Sequence, residues 1–269
     1  MTYRVLVSTD LGGNPDDIQS LYRLIHYSDV LKVEGITSCT GPGSEPSAGL
    51  IRHWVQRVDV EHLRGNGYPE LMSEVDLLEA VVQGTTTVGG PGPGKETAGS
   101  RKIIERALVG PDEVLWVRVC ESITDVAQAL HDGPDIASRI RVNYIRSSNT
   151  VNDPDARDYV YAFMSEQYPE LWWIENGVLS KLSRDTLRGI YQTGEQGGEW
   201  GNIAFIEENI RGRGTDHDGL FDEVCGDAFP AAGWPEGSLK EGDSPTLLHL
   251  LSPVFGGVGN VDDPTSESF

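Results

Sequence analysis

Short apolar runs alternate along the chain with stretches whose apolar residues recur every three or four positions, the first pattern predicting strands and the second helices. The run Arg4-Val5-Leu6-Val7 predicts a first strand, and Ile18, Leu21, Leu24 and Ile25 mark the inner stripe of the helix after it. A strand over residues 30–38 and a helix over 48–58, with Leu50, Ile51, Trp54 and Val55 on one side, repeat that unit. Residues 71–82 form another apolar-periodic segment, and a Gly-rich stretch over 84–99 leads into a helix from Ser100 with Ile103, Ile104 and Leu108 inside. Then come a central strand (113–120), a helix (122–130), a strand (140–146), a helix (154–168) and a strand (171–174). Beyond Ser180 the pattern turns helical over 185–191 and 204–210, passes through a Gly/Pro-rich loop over 226–242 and ends in a short helix over 244–251. Strands alternating with helices predict an α/β fold, a mainly parallel open sheet covered by helices on both faces.

Chemistry concentrates where the first strand ends, in Ser8-Thr9-Asp10-Leu11-Gly12-Gly13-Asn14-Pro15-Asp16-Asp17. Ligands of open α/β sheets bind outside the carboxyl ends of the strands, so Asp10, Asp16 and Asp17 project toward the expected crevice. Asn14 as N-cap, Pro15 as first helical residue and two acids at the positive end of the helix dipole account for the last four residues as a plain helix start. They do not account for Asp10, which ends a strand and precedes a glycine pair that lets backbone approach closely. Crowded carboxylates call for a cation, and an all-oxygen donor set selects Ca²⁺ or Mg²⁺ over softer metals. A second acid at a helix start, Asp243 in Glu241-Gly242-Asp243-Ser244-Pro245, repeats the pattern late in the chain, with a plain capping role as the alternative.

These motifs resemble the calcium-dependent nucleoside hydrolase superfamily, and Ser-Thr-Asp-Leu-Gly-Gly-Asn-Pro-Asp-Asp is similar to its nucleoside hydrolase-like branch, some members of which are labelled cellulose-binding. The resemblance runs from Arg4 to about Asp263. It implies one Ca²⁺ held by Asp10, Asp17, Asp243 and the backbone carbonyl of Thr124, with Asp10 as general base. Asn14, Asp16, Asn149 and Asn152 are implied as sugar-binding residues, and His217, between Asp216 and Asp218, as the group that protonates the leaving base. The implied reaction is hydrolysis of an N-glycosyl bond in a small nucleoside or related glycoside. Two departures stand against strict ribonucleoside specificity, Pro42 in place of an Asn and the absence of the Glu-x-Asn ahead of the helix at Pro154, while Cys120-Glu121, where small residues are usual, implies an altered pocket floor. A non-catalytic carbohydrate-binding protein of the same fold is the alternative.

Composition narrows the classes further. At 269 residues one domain spanning 1–269 is expected. A net charge of −21 without any cluster of Lys and Arg argues against nucleic acid. No apolar run approaches the ~20 residues of a membrane span, and the chain opens directly on its first strand, so a soluble cytoplasmic protein is expected, with association into homo-oligomers left open. Cys39, Cys120 and Cys225 lack metal-like or redox-like spacing and are expected as buried thiols. Gly89 to Lys95 has the outline of a phosphate-binding loop. The outline fails because Glu96 replaces the Mg²⁺-binding hydroxyl, two prolines remove amide donors and no strand is expected to feed the loop. Trp172, Trp173 and Trp234 are candidates for stacking on sugar, with a split of the first two between core and surface as the plainer reading.

Overall fold

The computed structural model describes residues 3–13, 15–41, 44–110, 113–145, 148–176, 198–199, 202–209 and 241–254. The expected positions Asn14, Pro42, Cys225, His217 and Trp234, and the helix expected over 185–191, lie outside them. No helix among the described residues is long and apolar enough to cross a membrane.

Six parallel strands form the sheet: β1 (Tyr3–Thr9), β2 (Leu31–Ser38), β3 (Val81–Gln83), β4 (Leu115–Val119), β5 (Ile140–Ile145) and β6 (Trp172–Asn176), in the order β3-β2-β1-β4-β5-β6. The order reverses between β1 and β4, and the carboxyl edge at such a switch point is where a crevice opens. Helices α1 (Pro15–His26), α2 (Ala48–Arg57), α3 (Val60–Gly65), α4 (Glu74–Ala80), α5 (Ala98–Leu108), α6 (Thr124–Asp132), α7 (Ser148–Asn152), α8 (Pro154–Ala162), α9 (Asn202–Asn209) and α10 (Pro245–Leu251) surround it. Two cores follow from the pleat. Val5, Val7 and Trp116 pack with Leu24, Ile25, Val55 and Leu247 on one face, while Leu6, Val117 and Val119 pack with Ile103, Val126 and Val160 on the other. Burial on both faces explains why the strands read as nearly continuous apolar runs.

Several elements depart from the expected outline. The segment expected over 71–82 is a helix, α4, running without a gap into β3, so a short strand does feed the Gly-rich loop. Three residues at the sheet edge carry too little period to be read. Helices α3 and α7 were not expected either; α3 starts from Asp59 in the left-handed region, whose side chain caps His62 N. The loop after β3 is sewn to α6: Thr85 N and the Thr97 hydroxyl donate to Asp125, Gly89 N to the Thr124 hydroxyl and Gly92 N to Gln128. Lys95 turns back on its own loop through the Gly90 carbonyl.

Arg4, inside the first apolar run, is 3% exposed and donates from Nε and Nη2 to both oxygens of Glu34 at 2.8 and 2.7 Å. Burial alone would raise the Glu34 carboxyl, but hydrogen bonds from Arg4, Arg106 and Lys32 hold it down to about 2. Its contribution to stability is therefore full above the ordinary value of 4.5 and is lost as pH falls toward 2. Glu34→Ala removes the main charge partner of the buried Arg4 guanidinium, leaving it the Glu113 and Arg106 carbonyls and the Glu113 carboxylate at 3.9 Å, and should lower the unfolding free energy by ~3 kcal/mol. A shift of the urea midpoint at pH 7 measures this, and an unchanged midpoint would refute it.

Candidate functional site

Asp10 leaves the end of β1 with ladders on both sides: Cys39 N donates to the Thr9 carbonyl at 2.8 Å and Cys120 N to the Ser8 carbonyl at 2.9 Å. Asp17 stands in the first turn of α1, and Asp243 just ahead of α10. One carboxylate oxygen from each of Asp10, Asp17 and Asp243 lies within 4.8 Å of the others. Asp16 adjoins them, pressed against Gly242, where any Cβ would collide with its carboxylate. The four acids are 5–8% exposed, which a solvated helix start does not require. Plain capping also fails for the late motif, since the N-cap of α10 is Ser244 and its side chain makes no capping bond.

The Ser244 hydroxyl instead meets Ser20 at 3.1 Å and donates to Glu241 at 2.8 Å. Glu241 holds a left-handed φ of 44°, rare for a side-chain-bearing residue. It is clamped to α1: its N–H donates to Gln19 at 3.0 Å, and its carboxylate takes both Nε and Nη2 of Arg23, the latter at 2.6 Å. This clamp joins the two helix starts that carry Asp17 and Asp243. From the sheet side Arg118, 1% exposed, donates from Nε to the Thr246 hydroxyl at 2.8 Å and from Nη2 to the Asp243 carbonyl at 3.1 Å.

Burial, followed by the charges of Asp16 and Asp10, pushes the Asp243 carboxyl well above the usual carboxylate range, while a hydrogen bond with Asp17 and the Arg118 charge pull it back. Asp243 Oδ2 is buried and has no hydrogen-bond partner. An anionic, all-oxygen cluster with an unsatisfied acceptor suits a hard cation. Cys39 and Cys120 are buried beside it, and burial first, then Asp10 for Cys39 and Asp243 for Cys120, pushes both thiols up, so they offer no thiolate.

Beside the cluster a crevice of about 440 Å³ is lined by Thr40, Gly41, Thr87, Glu121, Asn152 and Asp153, among others. Gly41 is its hinge with the acids: a Cβ there would collide with the Asp10 carboxylate and stand 2.8 Å from Glu121 Cγ. Asn152 lies in the wall and donates to Glu121 Oε1 at 3.1 Å. Asn149 is buried, its amide donating to the Cys120 carbonyl at 2.5 Å. Thr124 heads α6, its hydroxyl donating to Asp153 Oδ2 at 2.8 Å. That same oxygen also accepts from Ser122 and Ile123 N, so Asp153 fixes the start of α6 rather than capping its own helix. Trp172 and Trp173 are half-buried on β6 and engaged with Arg141 and Arg157.

Arg118, Glu121, Asp153 and the Arg23–Glu241 clamp were not singled out as site residues from sequence. For Arg118 a signal existed, an arginine inside the apolar strand Leu-Trp-Val-Arg-Val.

A family model described as cellulose-binding Sde182, nucleoside hydrolase-like domain, matches residues 4–269. Among solved structures, the chain is similar to a nucleoside hydrolase-related hypothetical protein from Saccharophagus degradans associated with carbohydrate metabolism, with 21% identity and a TM-score of 0.67. That match covers 97% of this chain and 57% of the other, so this chain spans little more than half of its relative's length. A plant nucleoside hydrolase matches at 13% identity and a TM-score of 0.50, over 94% of this chain and 79% of that one. No curated protein matches the chain.

Proposed function

The chain belongs to the cellulose-binding Sde182, nucleoside hydrolase-like family, and from that premise we propose that it hydrolyses a glycosyl bond, N-ribosyl or a related one, with the help of Ca²⁺. The observation that carries this reading is the buried trio of Asp10, Asp17 and Asp243 at the switch point, with a crevice beside it that meets Asp10 at Gly41. These three and the Thr124 carbonyl would hold the ion. When bound, Ca²⁺ lowers the pKa of water at the site. Asp10 would take the proton of the attacking water as general base. Asp16, with Asn14 and Asn152, would hold the sugar hydroxyls, and His217 would give the proton to the leaving group; Asn149, expected beside them, is instead turned to the Cys120 carbonyl. The buried carboxylates stabilise an oxocarbenium-like sugar by charge, and attack opposite the leaving group inverts the anomeric carbon.

A screen of nucleosides and nitrophenyl glycosides with Ca²⁺ tests the proposal. Turnover of at least one compound is expected, lost with chelator and regained on adding Ca²⁺. One observation favours the non-catalytic reading: Asn149 spends its amide on the Cys120 carbonyl in a chain whose Glu-x-Asn is absent. Oligosaccharide binding on a glycan array without turnover of any glycoside would replace the hydrolase with that reading.

A further inference from the structure

We infer that Arg118 is a built-in counter-charge that tunes the carboxylate cluster for a divalent cation, an inference that rests on the ion-binding part of the proposal above. Along β4, Leu115, Val117 and Val119 turn to one core and Trp116, Arg118 and Cys120 to the opposite face. The guanidinium therefore sits under the acids, sharing a cavity of about 10 Å³ with Thr9, Asp17, Ser20, Cys120 and Asp243. Its hydrogen bonds go to a neutral hydroxyl and a carbonyl, not to a carboxylate, and no described acid forms an ion pair with it at close range. Arginine keeps its charge in proteins, and a buried charge needs compensation. Burial pulls the Arg118 guanidinium down, and the neighbouring Cys120 and Asp243 pull it back up.

The consequence is specific to charge. With a cation bound and Asp243 ionised, the four acids carry four negative charges, and Arg118 offsets one of them from the sheet side. Any cation entering the trio is repelled by Arg118 in proportion to its own charge. The arginine thus lowers affinity for every ion but penalises a trivalent ion more than a divalent one, while it keeps the ion-free cluster from flying apart. A purely structural tie between β4 and α10 would have the opposite effect on removal, loosening Asp243 and weakening all ions alike.

Calorimetric titration of the chelator-treated chain and of Arg118→Met with Ca²⁺ and with Tb³⁺ separates the two. Arg118→Met is expected to bind Ca²⁺ roughly tenfold tighter or more, and Tb³⁺ tighter by a larger factor. Equal or weaker binding of both ions would overturn the inference. Should Arg118→Met fail to fold, Arg118→Lys keeps the charge while losing the planar fork. Affinities within about threefold of the unmodified chain support charge, and a tenfold change overturns it in favour of geometry. If the unmodified chain takes neither ion but Arg118→Met takes Ca²⁺, the counter-charge stands and the calcium reading of the native chain falls. If the unmodified chain binds Ca²⁺ and Arg118→Met binds no tighter, only the counter-charge falls. If none binds, both fall.

Discussion

Asp10→Ala is expected to lower kcat/KM by ~10² to 10⁴, the cost of losing a general base, on whichever glycoside the screen identifies. The side chain stands where β1 ends, 8% exposed, and Gly13 and Gly41 leave room for its carboxylate and nothing more. It belongs to the acid cluster, and Gly41 alone separates it from Glu121 in the crevice wall, so under the proposed mechanism it would meet the ion on one side and the sugar on the other. Asp10→Asn separates these duties. The amide keeps an oxygen for a cation and nearly the same shape, but it cannot accept a proton. Both variants should lose turnover at saturating Ca²⁺, with Asp10→Asn keeping the larger share of sugar affinity. Activity that survives either substitution unchanged removes Asp10 from the chemistry.

The route from sequence to this site was open where signals are local. A strand-ending acid, a glycine pair and a helix start all sit within the ten residues from Ser8 to Asp17, and the late Gly-Asp-Ser-Pro repeats the helix start. Sheet order makes these neighbours, since β1 lies between β2 and β4 at the reversal and α10 packs near β4. What stayed hidden depends on partners far along the chain. Glu241 reads as a loop acid until Arg23 and Gln19, more than two hundred residues earlier, reach it. Asp153 reads as the cap of α8, yet its carboxylate serves the start of α6. Asn149 and Asn152 look equivalent in sequence, but one is buried against a carbonyl and the other lines the crevice. Propensity ranks side chains by what they do nearby, and these are ruled by tertiary contacts, which bring donors to the Glu241 and Asp153 carboxylates and an acceptor to the Asn149 amide.

Asp243→Asn should move stability in opposite directions according to whether Ca²⁺ is present. In the ion-free chain the carboxylate is buried against Asp16 and Asp10, and its proton is held more tightly folded than unfolded. A folded value above the unfolded one means the native state binds the extra proton, so stability declines as pH rises above the ordinary 3.8. This runs opposite to Glu34, whose loss lies below 4.5. Replacing the acid with a neutral amide removes the repulsion, and the ion-free variant at pH 8 should gain on the order of 1–2 kcal/mol over the unmodified chain. With Ca²⁺ at a hundred times its dissociation constant the unmodified chain gains ~2.7 kcal/mol by mass action, and it loses most of its pH dependence, because ionised Asp243 is then the favoured form. The variant, short of a charged ligand, should gain little. Thermal unfolding at pH 5 and pH 8, with chelator and with Ca²⁺, reads all four conditions. A variant that is less stable than the unmodified chain at pH 8 in chelator would show that Asp243 earns its burial through packing or hydrogen bonds alone, and that no cation is needed to explain it.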